Sequence, residues 1–252
     1  MPSAGRKLLI TGASRGIGEA AARAFAESGA QVMLAARSAD DIARIATEIT
    51  DAGGVAHAVA CDVADAGAMQ AAVDATVDAF GGIDTLIANA GMLEPIGRIE
   101  TLPPEGFAQV IDTNVNGVFY GIRAALAPMK AAGGGTVITI GSGAATSALE
   151  GWAHYSASKA AVHHLNSVLH KEEAENGIRA LVLSPGTVAT NMQRSIAASG
   201  INPVSSIPWE DHIPPDWPAK ALMWMCTADA DGWLGQVVSL REDTVRQRVG
   251  LI

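Results

Sequence analysis

Short apolar runs alternate along the chain with longer segments whose apolar residues recur at helical spacing. The runs fall at 7–11, 31–36, 56–61, 84–88, 136–140, 179–184 and 235–239. Each has the length of a strand buried on both faces. The helical segments are 16–28, 39–52, 67–80, 105–131, 153–176 and 217–228. Such alternation predicts βαβ units around a parallel sheet, with right-handed crossovers placing helices on both faces. The fold class expected is α/β, a doubly wound sheet of about seven strands. No repeat, low-complexity tract or linker interrupts the pattern, so 1–252 reads as a single domain.

The segment 191–217 departs from the alternation. It carries Met192, Ile196, Ile201, Val204, Ile207, Trp209, Ile213 and Trp217 among several prolines, which discourage a continuous helix. A connection this long in a compact domain is usually functional. We read it as a substrate lid, helical near Met192 to Ala198. Its apolar content predicts a hydrophobic pocket, with Trp209 and Trp217 as lining aromatics. The alternative is a surface excursion that packs at a subunit interface.

Candidate chemistry gathers at the strand ends, where open α/β sheets bind ligands. After the run 7–11 comes Thr11-Gly12-Ala13-Ser14-Arg15-Gly16-Ile17-Gly18, and a strong helix former follows. A glycine-rich turn between strand and helix points free N–H groups at an anion, and the helix dipole adds positive charge. This arrangement makes the expected sheet Rossmann-like. An NAD binder usually carries an acid at the end of the second strand, for the ribose hydroxyl. Here that place holds Ala36 and Arg37. A guanidinium fork suits a phosphate. Arg37, with Arg15 and the Ser14 hydroxyl, therefore predicts a 2′-phosphate and NADP(H) as cofactor.

At the fifth strand end stands Ser142, followed by Tyr155-Ser-Ala-Ser-Lys159. Tyr155 and Lys159 are four apart and share a helix face. An ammonium beside a phenol is expected to lower its pKa from about 10. Such a tyrosine passes a proton to or from a carbinol oxygen, and Ser142 offers a hydroxyl to the same atom.

Composition narrows the partners. The net charge of −9 argues against nucleic acid and is unfavourable for an acidic carrier protein. Cys61 and Cys226 lack metal or redox spacing and read as buried thiols. His163, His164 and His170 have no carboxylate or cysteine cluster to complete a metal site, and no metal is expected. No signal peptide or membrane-length apolar run is evident, so a cytoplasmic protein with no membrane partner is expected.

With these motifs assembled, the chain resembles the short-chain dehydrogenase/reductase family from about Lys7 to Ser239. The resemblance assigns Thr11 to Gly18 to the pyrophosphate turn and Asp62-Val63 to the adenine contact. It gives Asn89-Ala90-Gly91 as the turn after the fourth strand, and Pro185-Gly186-Thr187-Val188-Ala189-Thr190 as the nicotinamide cradle. The catalytic group it implies is Asn114, Ser142, Tyr155 and Lys159. Tyr155 and Lys159 also touch the cofactor, and Asn114 helps hold a water that relays protons to the lysine. The segment Thr190 to Gln193 resembles carbonyl reductases of the sepiapterin and benzil reductase type. One departure is the usual Val-Asp-Gly-Gly after the last strand, where this chain reads Leu240-Arg241-Glu242-Asp243 and then a charged tail. The resemblance also implies a homodimer or homotetramer, through the helices 105–131 and 153–176.

The activity expected is NADPH-dependent reduction of a hydrophobic ketone or diketone to the alcohol, and its reverse. Reduction of a 3-oxoacyl thioester is an alternative, as is a binding module that senses NADP(H) without turnover.

Overall fold

The computed structural model describes residues 4–252. Seven strands form one parallel sheet in the order β3-β2-β1-β4-β5-β6-β7. They are β1 (Lys7–Thr11), β2 (Gln31–Ala36), β3 (Val55–Ala60), β4 (Thr85–Ala88), β5 (Gly135–Ile140), β6 (Ile178–Ser184) and β7 (Val237–Ser239). The chain runs outward from β1 to β3, returns to pair β4 with β1, then runs outward the other way. The order reverses at β1/β4, which opens a crevice at the carboxyl edge.

Helices cover both faces, as the alternation predicts. They are α1 (Gly16–Glu27), α2 (Ala39–Asp51), α3 (Ala66–Phe80), α4 (Pro104–Ile111), α5 (Gly117–Ala131), α6 (Ala153–Glu173), α7 (Asn191–Ser199), α8 (Asp216–Met225) and α9 (Asp243–Val249). Successive strand residues point to opposite faces. Leu8 and Ile10 therefore pack with Phe25, Ile42, Ile45 and Leu222 of α1, α2 and α8. Leu9 points the other way, toward Met69, Ile122 and Val162 of α3, α5 and α6. Each such side chain removed from water contributes roughly 1.5–3 kcal/mol.

Three elements differ from the sequence reading. The segment 105–131 is two helices joined by a widened turn at Asp112–Asn116. There Asn114 leaves the helical register to bond the backbone of Met92, its Oδ1 accepting at 2.8 Å and its Nδ2 donating at 2.9 Å. The last strand starts at Val237, because Gly235 turns the chain at φ +72° while its N–H donates to Ala180 O at 2.8 Å. The charged tail folds as α9, anchored by buried Val245 and by Arg246, which donates from Nε to Leu240 O and lies over the Trp217 ring. The helix expected near Met192 to Ala198 is α7. No helix among the described residues is long and apolar enough to cross a membrane.

Candidate active site

A cleft of about 990 Å³ runs along the carboxyl edge of the sheet. Of the catalytic and cofactor residues assigned from sequence, all but Thr11, Ala13, Gly18 and Asn114 line it.

The glycine turn is built around Thr11. Its Oγ1 accepts the N–H groups of Asn89 and Ala90, each at 3.1 Å. Asn89 answers by donating from Nδ2 to Thr11 O and Gly12 O, at 2.9 and 3.1 Å. This cross-link fastens the end of β4 to the turn. It leaves no space at Gly18, where a Cβ would stand 2.7 Å from Asn89 Nδ2. Gly18 thus sets the close packing of α1 on the turn from behind the wall. Ser14, Arg15, Gly16 and Ile17 face the cleft at the start of α1. A backbone cradle ending on a helix N-terminus fits a pyrophosphate.

At the end of β2, Ala36 is buried while Arg37 and Ser38 are exposed and line the cleft, as Arg15 does. Asp62 caps its own turn, accepting Ala64 N–H at 3.1 Å. Val63 packs on Gly117, where a Cβ would come within 2.8 Å of it. Two cations with no acid on the β2 end fit a phosphorylated ribose. Cys61 lies beneath, and burial pushes its thiol up to about 11, which leaves it unreactive.

Ser142, Tyr155 and Lys159 come together on one wall. Ser142 follows β5, and its side chain accepts Ala144 N–H at 3.2 Å. Tyr155 and Lys159 lie on the buried face of α6, with Lys159 Nζ 5.6 Å from the phenol ring centroid. The ammonium donates to Ile140 O at 2.7 Å. Asn114 is fully buried and, besides Met92, donates to Ser158 Oγ at 3.0 Å. Ser158 in turn donates to Tyr155 O at 2.7 Å. Asn114 is thus a strut joining the loop after β4 to α6.

The expected lowering of the Tyr155 pKa is not found. Burial raises it, and the Ser142 hydroxyl acts more weakly in the opposite direction. The physical reason is desolvation of a phenol that is largely buried in the cleft wall. Burial also lowers Lys159, to about 8. Tyr155 therefore keeps its proton through neutral pH in this form.

The opposite wall is the segment Pro185 to Thr190, held by Ile213: Ala189 N–H donates to Ile213 O at 2.9 Å, and Ile213 N–H to Thr187 O at 3.0 Å. Beyond it, α7 and the turn at 203–206 bring Met192, Ile196 and Val204 to the cleft. Trp209 and Trp217 do not line it. Trp209 sits under Arg194 and is 45% exposed, while Trp217 belongs to α8. The lining aromatic is Trp152, packed edge-on against Tyr155 with ring centroids 5.6 Å apart.

Two residues were given no part in the site from sequence. His163, weighed there only as a metal ligand, accepts the Ser142 N–H through Nε2 at 3.3 Å, a contact made only once β5 and α6 are packed. Arg241 lines the cleft from beyond β7, where the departure from Val-Asp-Gly-Gly was the available signal. Among the described residues no group of three or more His, Cys, Asp or Glu side chains could hold a metal.

Comparison with known proteins agrees with this geometry. The short chain dehydrogenase family model matches residues 6–200. The 2,5-dichloro-2,5-cyclohexadiene-1,4-diol dehydrogenase LinX of Sphingobium indicum is 35% identical over 193 residues, 77% of each chain. A 3-alpha-(or 20-beta)-hydroxysteroid dehydrogenase of Mycobacterium bovis is 37% identical over 188 residues, 75% of this chain and 71% of its own. A solved 7 alpha-hydroxysteroid dehydrogenase complexed with NADH and 7-oxo glycochenodeoxycholic acid matches with a TM-score of 0.85 at 28% identity, covering 94% of this chain and 93% of that one. Motif order, sheet order and site geometry converge with these matches: the chain belongs to the short-chain dehydrogenase family, oxidoreductases that act on alcohol and ketone groups with a nicotinamide cofactor.

Proposed function

We propose that this enzyme reduces a ketone with an apolar body to the alcohol, using NADPH. The observation that carries the reading is the placement of Ser142, Tyr155 and Lys159 on one wall of a cleft that also holds Arg15 and Arg37. One solved relative holds NADH, so the fold alone does not choose the cofactor, and the arginine at the end of β2 favours the phosphorylated form.

Residues 12–18 would hold the pyrophosphate, Arg15, Arg37 and Ser14 the 2′-phosphate, and Asp62 and Val63 the adenine. Asn89 to Gly91 and Pro185 to Thr190 would bracket the nicotinamide. The dinucleotide, when bound, supplies the hydride for the carbonyl carbon and is itself oxidised. Ser142 and Tyr155 hydrogen-bond the carbonyl oxygen and fix the ketone for attack. As negative charge develops on that oxygen, Tyr155 gives it the phenolic proton. Lys159 holds positive charge beside the phenolate that results, and a proton from solvent restores the phenol. Oxidation of the alcohol runs through the same residues in reverse.

Residues 191–217 serve as the substrate lid, with Met192, Ile196 and Val204 facing the cleft. The exposed Phe119 and Val168 on α5 and α6 support pairing of subunits through these helices.

The test is cofactor oxidation across a panel of aryl and alkyl ketones, with NADPH and NADH in parallel. The reading expects kcat/KM at least tenfold higher with NADPH. Equal use of NADH would sink the cofactor assignment, and no turnover of any ketone would favour the sensing module.

A further inference from the structure

Arg241, two residues beyond the end of β7, lines the cleft. Its Cγ and Nε lie 3.7 and 3.9 Å from the point where a Cβ at Gly186 would stand, and its Nη1 lies 4.0 Å from the equivalent point at Gly143. Gly143 directly follows Ser142. The guanidinium therefore lies close to Gly143, the residue next to Ser142.

Most other arginines are occupied. Arg6, Arg23, Arg44, Arg98, Arg179 and Arg246 each hold a carboxylate. Among the described residues the Arg241 guanidinium has no ion pair and no hydrogen bond, and only its backbone N–H is engaged, donating to Ser239 Oγ at 3.3 Å. Glu94 and Asp216 also face the cleft but do not pair with it. With a net charge of −9 the protein does not gather anions by its overall field. Among the described residues the side chains of Arg15 and Arg37 in the same cleft are also without a protein partner, and of the three Arg241 is the one that stands near Gly143 and Gly186, away from the glycine turn and the end of β2.

We propose that Arg241 anchors a carboxylate on the substrate, so that the site selects ketones with an apolar body and a terminal acid group. This rests on the ketone-reduction reading above. A guanidinium stays charged at any working pH and grips a carboxylate with two parallel hydrogen bonds. Leu149, Trp152, Met192 and Ile196, which line the cleft and cluster with Tyr155, take the apolar body.

The experiment compares phenyl ketones bearing a terminal carboxylate on chains of one to four methylenes with the corresponding methyl esters. Arg241→Ala should lower kcat/KM for the preferred acid roughly 10- to 100-fold, mainly through KM, and change the ester less than about twofold. The NADPH KM should stay unchanged. Calorimetric titration of the keto acid into enzyme loaded with NADP+ reads the anchor without turnover, and should show salt-sensitive binding that Arg241→Ala abolishes. Equal losses for acid and ester, no loss for either, or a raised NADPH KM would overturn the proposal. If neither ketone turns over while the titration still depends on Arg241, the anchor stands and the ketone-reduction reading fails.

Discussion

His163 Nε2 accepts the backbone N–H of Ser142 at 3.3 Å. The imidazole of α6 thus holds the chain at the point where β5 hands over to the site. The contact depends on Gly141, since a Cβ there would collide with the ring and come within 2.5 Å of Val182 Cγ1. We expect Gly141→Ala to destabilise the protein by about 1–3 kcal/mol. His163→Leu should lower kcat about tenfold, the range of one lost neutral hydrogen bond, with the NADPH KM unchanged. Steady-state kinetics and urea unfolding check both, and His163→Gln should recover part of the rate if the accepted hydrogen bond is what matters.

Acid should destabilise this fold through two histidines. Burial, with Lys159 nearby, lowers His163 from 6.5 to about 4, and burial also lowers His154. A depressed histidine binds fewer protons folded than unfolded, so stability is intact above pH 6.5 and is lost progressively as pH falls toward 4. Urea midpoints measured between pH 7.5 and 4.5 should fall in wild type, and less steeply in His163→Gln. Parallel curves would remove His163 from the account.

Arg37 should govern the choice between cofactors. Arg37→Ala removes a charged donor from the end of β2, and we expect the NADPH KM to rise roughly 10- to 100-fold while the NADH KM changes little. Fluorescence titration of each dinucleotide provides the check. A loss shared by both would place Arg37 on the common part of the molecule.

Tyr155→Phe should cut kcat on the order of 10²- to 10⁴-fold and leave dinucleotide binding intact. In wild type the two directions should part with pH. Reduction needs the phenol, whose pKa burial raises, so it holds through neutral pH and falls in alkali. Oxidation needs the phenolate and climbs with pH. Initial rates in both directions from pH 6 to 10 decide this.

What the sequence made legible is what short spacing encodes. The glycine turn at 12–18, the pair Tyr155 and Lys159 and the apolar strands are local patterns, and each lies where its pattern predicts. Contacts between distant segments were not legible. His163 meets Ser142 only after β5 and α6 are packed side by side. Trp152, rather than Trp209 or Trp217, faces the cleft because chain direction, not apolar content, decides which side of a loop looks inward. The sign of the Tyr155 shift depended on how deep the phenol lies, which is not written in a four-residue interval.

The reversal of strand order at β1/β4 has a mechanical side. The glycine turn hangs from the β1–β3 half of the sheet, and the Ser–Tyr–Lys wall from the β4–β7 half. Between them the Thr11–Asn89 cross-link is a seam through which any ligand lying across the crevice loads both flanks at once. Occupancy and rigidity then become one property, because a molecule that grips both flanks stabilises the whole sheet in proportion to how tightly it is held.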